Sequence, residues 1–125
     1  MKIQFWAGNF SSKMIFDSFF KESYFEDDSI PISEFAKSQD ETWIDYDFLE
    51  IGFENEDKSI KNKFSEYSYS ESWTSEFEKR IIIKNFQEVN SIVIGSFDNE
   101  EKLIEFPKSV FLDDFRLEYL GVIEF

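Results

Sequence analysis

The alternation in Lys2-Ile3-Gln4-Phe5-Trp6 puts Ile3 and Phe5 on one side of an extended chain, and Gly8-Asn9 follows. The pattern predicts a strand over Lys2–Trp6 and then a turn. A 3.6-residue period takes over next. Ser11 is placed to cap a helix of about Ser12–Glu22 that gathers Ile15, Phe16, Phe19 and Phe20 on its buried side. Phe10 can staple onto Ile15, and Lys13, Asp17 and Lys21 line the wet side at i, i+4 spacing. Tyr24–Ser29 reads as an acidic loop, and Ile30-Pro31 as the opening of a short helix through Lys37. Asp40–Asp47 reads as loop. Alternation returns in Phe48–Glu54, where Leu49, Ile51 and Phe53 share one face and Glu50, Gly52 and Glu54 the other, wetter one.

In the second half, Ser59–Glu66 suits a short basic helix with Ile60 and Phe64 inward. Ser68-x-x-Glu71 has capping-box spacing ahead of a helix over Tyr69–Lys84, with Trp73, Phe77 and Ile81 on one face. Ile82 falls off that face, so the last turn either opens into a strand or runs on to a stop at Asn85. Asn90–Phe97 is the most strand-like stretch, and Ile92, Val93 and Ile94 suit burial on both faces. A turn at Asp98-Asn99 leads into Glu101–Phe106, read as an extended run in which Ile104 and Phe106 share a face and which Pro107 ends, and Leu117–Phe125 closes the chain as a strand. Together these elements predict a single α+β domain over residues 1–125, a four- or five-stranded mixed sheet with helices packed against it.

Composition narrows the chemistry. With 17 Phe, 3 Trp and 5 Tyr the core is heavy in rings. Thirteen basic against 27 acidic residues give a net charge of −14, which repels phosphate backbones and favours fast capture of cationic proteins. Direct nucleic-acid binding is therefore not expected. The chain has neither Cys nor His, which removes thiolate nucleophiles, imidazole bases and the usual zinc ligands, so neither catalysis nor a cofactor is expected. The N-terminus lacks an apolar signal region, and Ile81–Ile83 and Ile92–Ile94 are too short to span a bilayer. The expected location is the cytoplasm, with no membrane partner.

Acidity is unevenly spread. Residues 1–57 hold four basic and fourteen acidic side chains, whereas Lys58–Lys84 hold six and four. From Ser38 to Asp57 there are eight acids and no base, interleaved with Trp43, Ile44, Tyr46, Phe48 and Leu49. Such rings mark a folded segment rather than a solvated tail, and carboxylates beside rings on a rigid support suit a basic partner. The candidate contacts are Asp40, Asp45, Tyr46, Asp47 and Glu50, with Glu26, Asp27 and Asp28 as a second acidic cluster. The plainer reading is a charged turn leading into a core strand. Asp45-x-Asp47-x-x-Glu50 lacks the glycine and further oxygens of an EF-hand loop, so it makes a poor calcium site. A carboxylate pair for glycoside hydrolysis carries little weight among 27 acids. The turn at Trp6–Asn9 could hold a ligand but reads better as core packing. Tyr67–Ser70 could offer hydroxyls to a partner or form a helix cap.

Five stretches in order, WAGNF (Trp6–Phe10), DYDFLE (Asp45–Glu50), YSYSESW (Tyr67–Trp73), NSIVIGSF (Asn90–Phe97) and YLGVIEF (Tyr119–Phe125), resemble the immunity protein 22 family of bacterial polymorphic toxin systems. The resemblance implies a small non-catalytic cytoplasmic protein that binds and neutralises a toxin domain encoded beside it. It marks Trp6 and Gly8 as structural motif residues and Asp45–Glu50 as the acidic feature. Lys58–Lys63 and the middle loops fit the family pattern less well. The expected partner is a cognate toxin domain, basic by complementarity to the net charge and, in one reading, a nuclease, met by a monomer or weak dimer. The alternative is an acidic adaptor, or a nucleic-acid mimic that inhibits a DNA-binding protein.

Overall fold

In the computed structural model, which describes residues 1–24, 31–97 and 102–125, strand β1 (Lys2–Phe10) lies at the middle of the sheet. It runs straight through Gly8-Asn9, where the pattern predicts a turn. The reason is close packing. Gly8 lies between Ser91 and Leu117 on the two neighbouring strands, and a Cβ there would overlap the Ser91 hydroxyl. Glycine here admits its neighbours rather than reversing the chain.

After β1 come α1 (Lys13–Phe20), α2 (Glu34–Ser38), a 3-10 turn (Tyr46–Phe48) and β2 (Leu49–Phe53). Next are α3 (Ile60–Lys63), α4 (Ser70–Ile83), β3 (Ser91–Phe97), β4 (Val110–Phe111) and β5 (Phe115–Glu124). The strands lie in the order β2-β3-β1-β5-β4, and each pair is antiparallel. The class is the expected α+β with five strands, although the sheet is antiparallel rather than mixed.

Caps set the helix starts. Ser12, Ser33 and Ser59 each accept a bond from the backbone N–H three residues on, and so open α1, α2 and α3. The opening of α1 is thus one residue later than expected, and that of α2 is at Ser33 rather than Ile30-Pro31. The capping box of α4 does not form. Tyr69 caps it in a left-handed conformation (φ 57°) without a side-chain bond. Ser68 is engaged elsewhere, its N–H by Glu50 and its carbonyl by the Trp73 indole. At the far end the helix continues through the exposed Ile82 and Ile83 and stops at Asn85 (φ 54°). There Asn85 N–H reaches Ile82 O and Phe86 N–H reaches Ile81 O, which satisfies two terminal carbonyls.

Two apolar clusters lie on opposite sides of the sheet. On one side Trp73, Phe77 and Ile81 of α4, with Phe64, cover Ile3, Phe5, Ala7, Ile92 and Ile94. On the other, Phe16, Phe19 and Phe20 of α1, with Phe35 of α2, cover Trp6, Phe10, Val93 and Leu117. Odd-numbered residues of β5 reach both clusters because its register shifts. Phe5 pairs with Gly121 and Trp6 with Tyr119, which leaves Leu120 as the extra residue of a bulge. Gly121 takes a φ of +108°, and Arg80 donates to the Leu120 carbonyl at 2.9 Å. Beyond the bulge the parity flips, so Leu117 faces the α1 side and Ile123 the α4 side.

Of the run Glu101–Phe106, the described residues 102–106 form no strand. Residues 103–106 bend, because the Gln4 side chain takes the backbone bonds of Ile104. Gln4 Nε2 donates to Ile104 O at 2.8 Å and its Oε1 accepts from Ile104 N–H at 3.0 Å, so one amide stands in for a strand neighbour. Ile104 is therefore fully buried while Phe106 is exposed, and they do not share a face. The turn expected at Asp98-Asn99 lies outside the described residues.

Candidate functional site

The acidic run starts where α2 ends. Asp40 N–H bonds Lys37 O and Glu41 N–H bonds Ala36 O, closing the helix around Asp40 in a left-handed conformation (φ 56°). Asp tolerates that conformation better than most residues. The side chains of these first acids turn inward along the surface. Asp40 pairs with Lys108, and Glu41 Oε1 accepts from Glu105 N–H at 3.2 Å. Gln39 completes the seam, donating to Lys108 O and accepting from its N–H. The loop over residues 102–108 is thereby fixed beside the start of the acidic run.

The middle of the run is held from below. Ile44 is buried, and Asp45 Oδ1 accepts from Asp47 N–H at 3.0 Å, capping the 3-10 turn. The Tyr46 hydroxyl donates to Phe20 O at 2.7 Å. Burial pushes its pKa up to about 12, with Glu22 adding to the rise and a bond to Ser33 opposing it. Tyr46 thus belongs half to the core. Its neighbours face outward: Asp47 is exposed, and Trp43 and Phe48 are 50% and 53% exposed, high for rings of that size.

Glu50 and Glu54 share the other face of β2, as the alternation predicts, but that face is covered. Glu50 Oε1 accepts from Ser68 N–H at 3.0 Å, and the Tyr67 hydroxyl lies 3.4 Å from Glu54. Tyr67 crosses over Gly52, where a Cβ would overlap its ring. Burial, with Glu54 and Glu50 close by, raises the Tyr67 pKa. Of the Tyr67–Ser70 hydroxyls, that of Tyr67 is spent here and Ser70 Oγ donates to Ser65 O, while Tyr69 remains exposed.

The sequence candidates therefore divide. Asp45, Tyr46 and Asp47 form one rigid turn, Asp40 belongs to the seam with Lys108, and Glu50 lies on the opposite face of β2. Glu26, Asp27 and Asp28 lie outside the described residues. Trp6 is buried, its indole donating to Lys108 O at 3.2 Å, so it and Gly8 are parts of a strand rather than of a ligand-holding turn. Sequence reasoning missed Phe106, which is 65% exposed on the loop pinned by Gln4. That loop is drawn to the acidic turn by the Glu41–Glu105 bond, and Leu103 and Leu49 both lie over Gly95. The available signal was Pro107, which argues against a continuing strand. Among the described residues no three acids gather as a metal-ion cluster, and no helix is long and apolar enough to cross a membrane.

A family model described as Immunity protein 22 matches residues 3–125, nearly the whole chain. No curated protein and no solved structure matches it.

Proposed function

The chain belongs to the Immunity protein 22 family, and from that premise we propose that it binds a cognate toxin domain and neutralises it without catalysis. The observation that carries the choice of surface is the Asp45–Phe48 turn. Its base is anchored by Ile44, the Asp45 cap and the Tyr46 bond, while Asp47, Phe48 and Trp43 face outward. Such a turn loses little further freedom on binding, so its contacts translate into affinity. The contact set is Asp45 and Asp47 with the exposed rings beside them, and Tyr46 holds the turn from below. Asp40 and Glu50, already engaged by Lys108 and Ser68, add charge from its margins, and Glu26–Asp28 steer the encounter. The partner is a basic domain encoded by the adjacent gene. If that domain is a nuclease, these carboxylates take the positions its substrate's phosphates would occupy. The protein acts in the cytoplasm as a monomer or weak dimer.

Calorimetric titration into the toxin domain at low and high salt tests this. Tight binding that weakens with salt is the expected result. Asp47→Ala should cost on the order of 2–5 kcal/mol if the carboxylate is desolvated at the centre of the interface. Asp45→Ala also removes the cap, so it is read together with a thermal melt. Unchanged affinity in both variants would move the interface off this turn, and no binding at either salt would leave the toxin reading without support.

A further inference from the structure

Strand β2 ends the sheet on one side, and among the described residues no strand pairs with its outer edge. Which of its backbone groups face outward follows from the ladder. Met1 and Phe125 exchange both of their bonds, at 2.7 and 2.9 Å, so odd-numbered residues of β1 point toward β5 and even-numbered ones toward β3. Through the registers Gly8↔Ser91 and Gly52↔Ile92, this directs Glu50 and Gly52 of β2 inward to β3. The bond from Glu54 N–H to Asn90 O, 2.7 Å, agrees. Ile51 and Phe53 are left with N–H and C=O groups aimed away from the sheet. Leu49 adds a carbonyl, its N–H being taken by Tyr46 O.

Edges of this kind are normally blunted by Pro, Lys, a bulge or brevity. The opposite edge, β4, has only two residues. β2 has five, LEIGF, with no Pro, no Lys and no register shift. Around it lie Asp45, Asp47, Glu50, Glu54, Glu56 and Asp57. The only base in that vicinity of the sequence, Lys58, pairs with Glu56 at 2.6 Å.

We propose that β2 receives an extended basic segment of the toxin as a sixth strand. The inference rests on the toxin-binding reading and specifies how the partner is held. Main-chain bonds form to Ile51 and Phe53, and the incoming side chains opposite Glu50 and Glu54 are Lys or Arg, four residues apart. Between them the residue opposite Gly52 meets the Tyr67 ring.

Amide hydrogen exchange of this protein, alone and with the toxin domain encoded beside it, tests the proposal. The Ile51 and Phe53 amides should exchange fast in the free protein and slow by about ten-fold or more in the complex, with Glu50 and Gly52 protected in both. Ile51→Pro removes an outward donor without touching the β3 ladder and, where the variant melts cooperatively, should weaken binding at least about ten-fold. Tight binding with Ile51 and Phe53 still exchanging fast overturns the edge and leaves toxin binding standing. Protection already present in the free protein shows the edge covered by its own chain, and protection that appears on concentration alone assigns it to a second copy. Either result overturns the proposal. No binding at all overturns the toxin reading and the edge with it.

Discussion

On the α4 side of the sheet, one fourteen-residue helix satisfies its own backbone and needs only to present Trp73, Phe77 and Ile81 to the strands. On the α1 side, short helices and loops cover the sheet, and their backbone groups must find partners elsewhere. Side chains supply them. Gln4 holds Ile104, Gln39 and Trp6 hold Lys108, and Tyr46 holds Phe20. The difference teaches where recognition can reside. A packed helix is held by its buried face, whereas a sutured loop is fixed at its root and free at its tip. Trp43, Asp47, Phe48 and Phe106 are all carried by loops of the second kind.

Breaking the α4 side should have the largest effect. Phe77 is fully buried among Phe5, Phe64 and Trp73, so Phe77→Ala should cost about 3–5 kcal/mol in urea unfolding. Gln4→Leu tests the sutures. It leaves the buried N–H and C=O of Ile104 unpaired, at roughly 1–3 kcal/mol per group, partly offset by the apolar burial of the leucine, so on the order of 2–4 kcal/mol in total. It should also speed exchange around Ile104 by more than it speeds that of the α4 amides, which follow only the loss of global stability. If exchange rose equally on both sides, the contrast between them would fail.

Alkaline pH sharpens the comparison more gently. The folded pKa of Tyr46 lies above its ordinary value of 10.0, at about 12. Its contribution is therefore complete below pH 10 and lost as pH rises from 10 toward 12. Tyr67 on the α4 side is shifted in the same direction. Unfolding measured at pH 8, 10 and 11 should lose stability above pH 10, and Tyr46→Phe should remove part of that slope but not the share of Tyr67. The smallest effect belongs to Asp40→Asn, which removes the charge but keeps a residue that tolerates the left-handed backbone here. The carboxylate side chain is 69% exposed, so losing its pair with Lys108 should cost below about 1 kcal/mol in a thermal melt. Gln39 still holds Lys108 in that variant.

The candidate site was legible in part. Eight acids without a base, set among rings, located the Asp45–Phe48 turn, since an uncompensated charge run with buried anchors shows in residue types alone. That Glu50 lies beneath Ser68 and Asp40 against Lys108 was not visible, because each partner is supplied by a distant segment. Phe106 was placed in a strand because an apolar run reads alike whether a strand or a glutamine takes its backbone bonds.

By itself the sequence determined the ring-bearing face of α4, the doubly buried β3 and the alternation of β2, while it left the end of α4 open between a strand and a stop at Asn85. What it determined is set by periodicity or by local backbone preference within a few residues. Only the tertiary structure decided that β1 passes through Gly8, that β5 shifts register at Leu120 and that Tyr69 replaces the capping box. It also decided that Gln4 bends residues 103–106. These outcomes depend on which backbone groups meet across the sheet, as when Gln4 meets Ile104 a hundred residues away. Neighbouring residue types do not encode that pairing, and an unpaired buried amide is costly enough to override their preference.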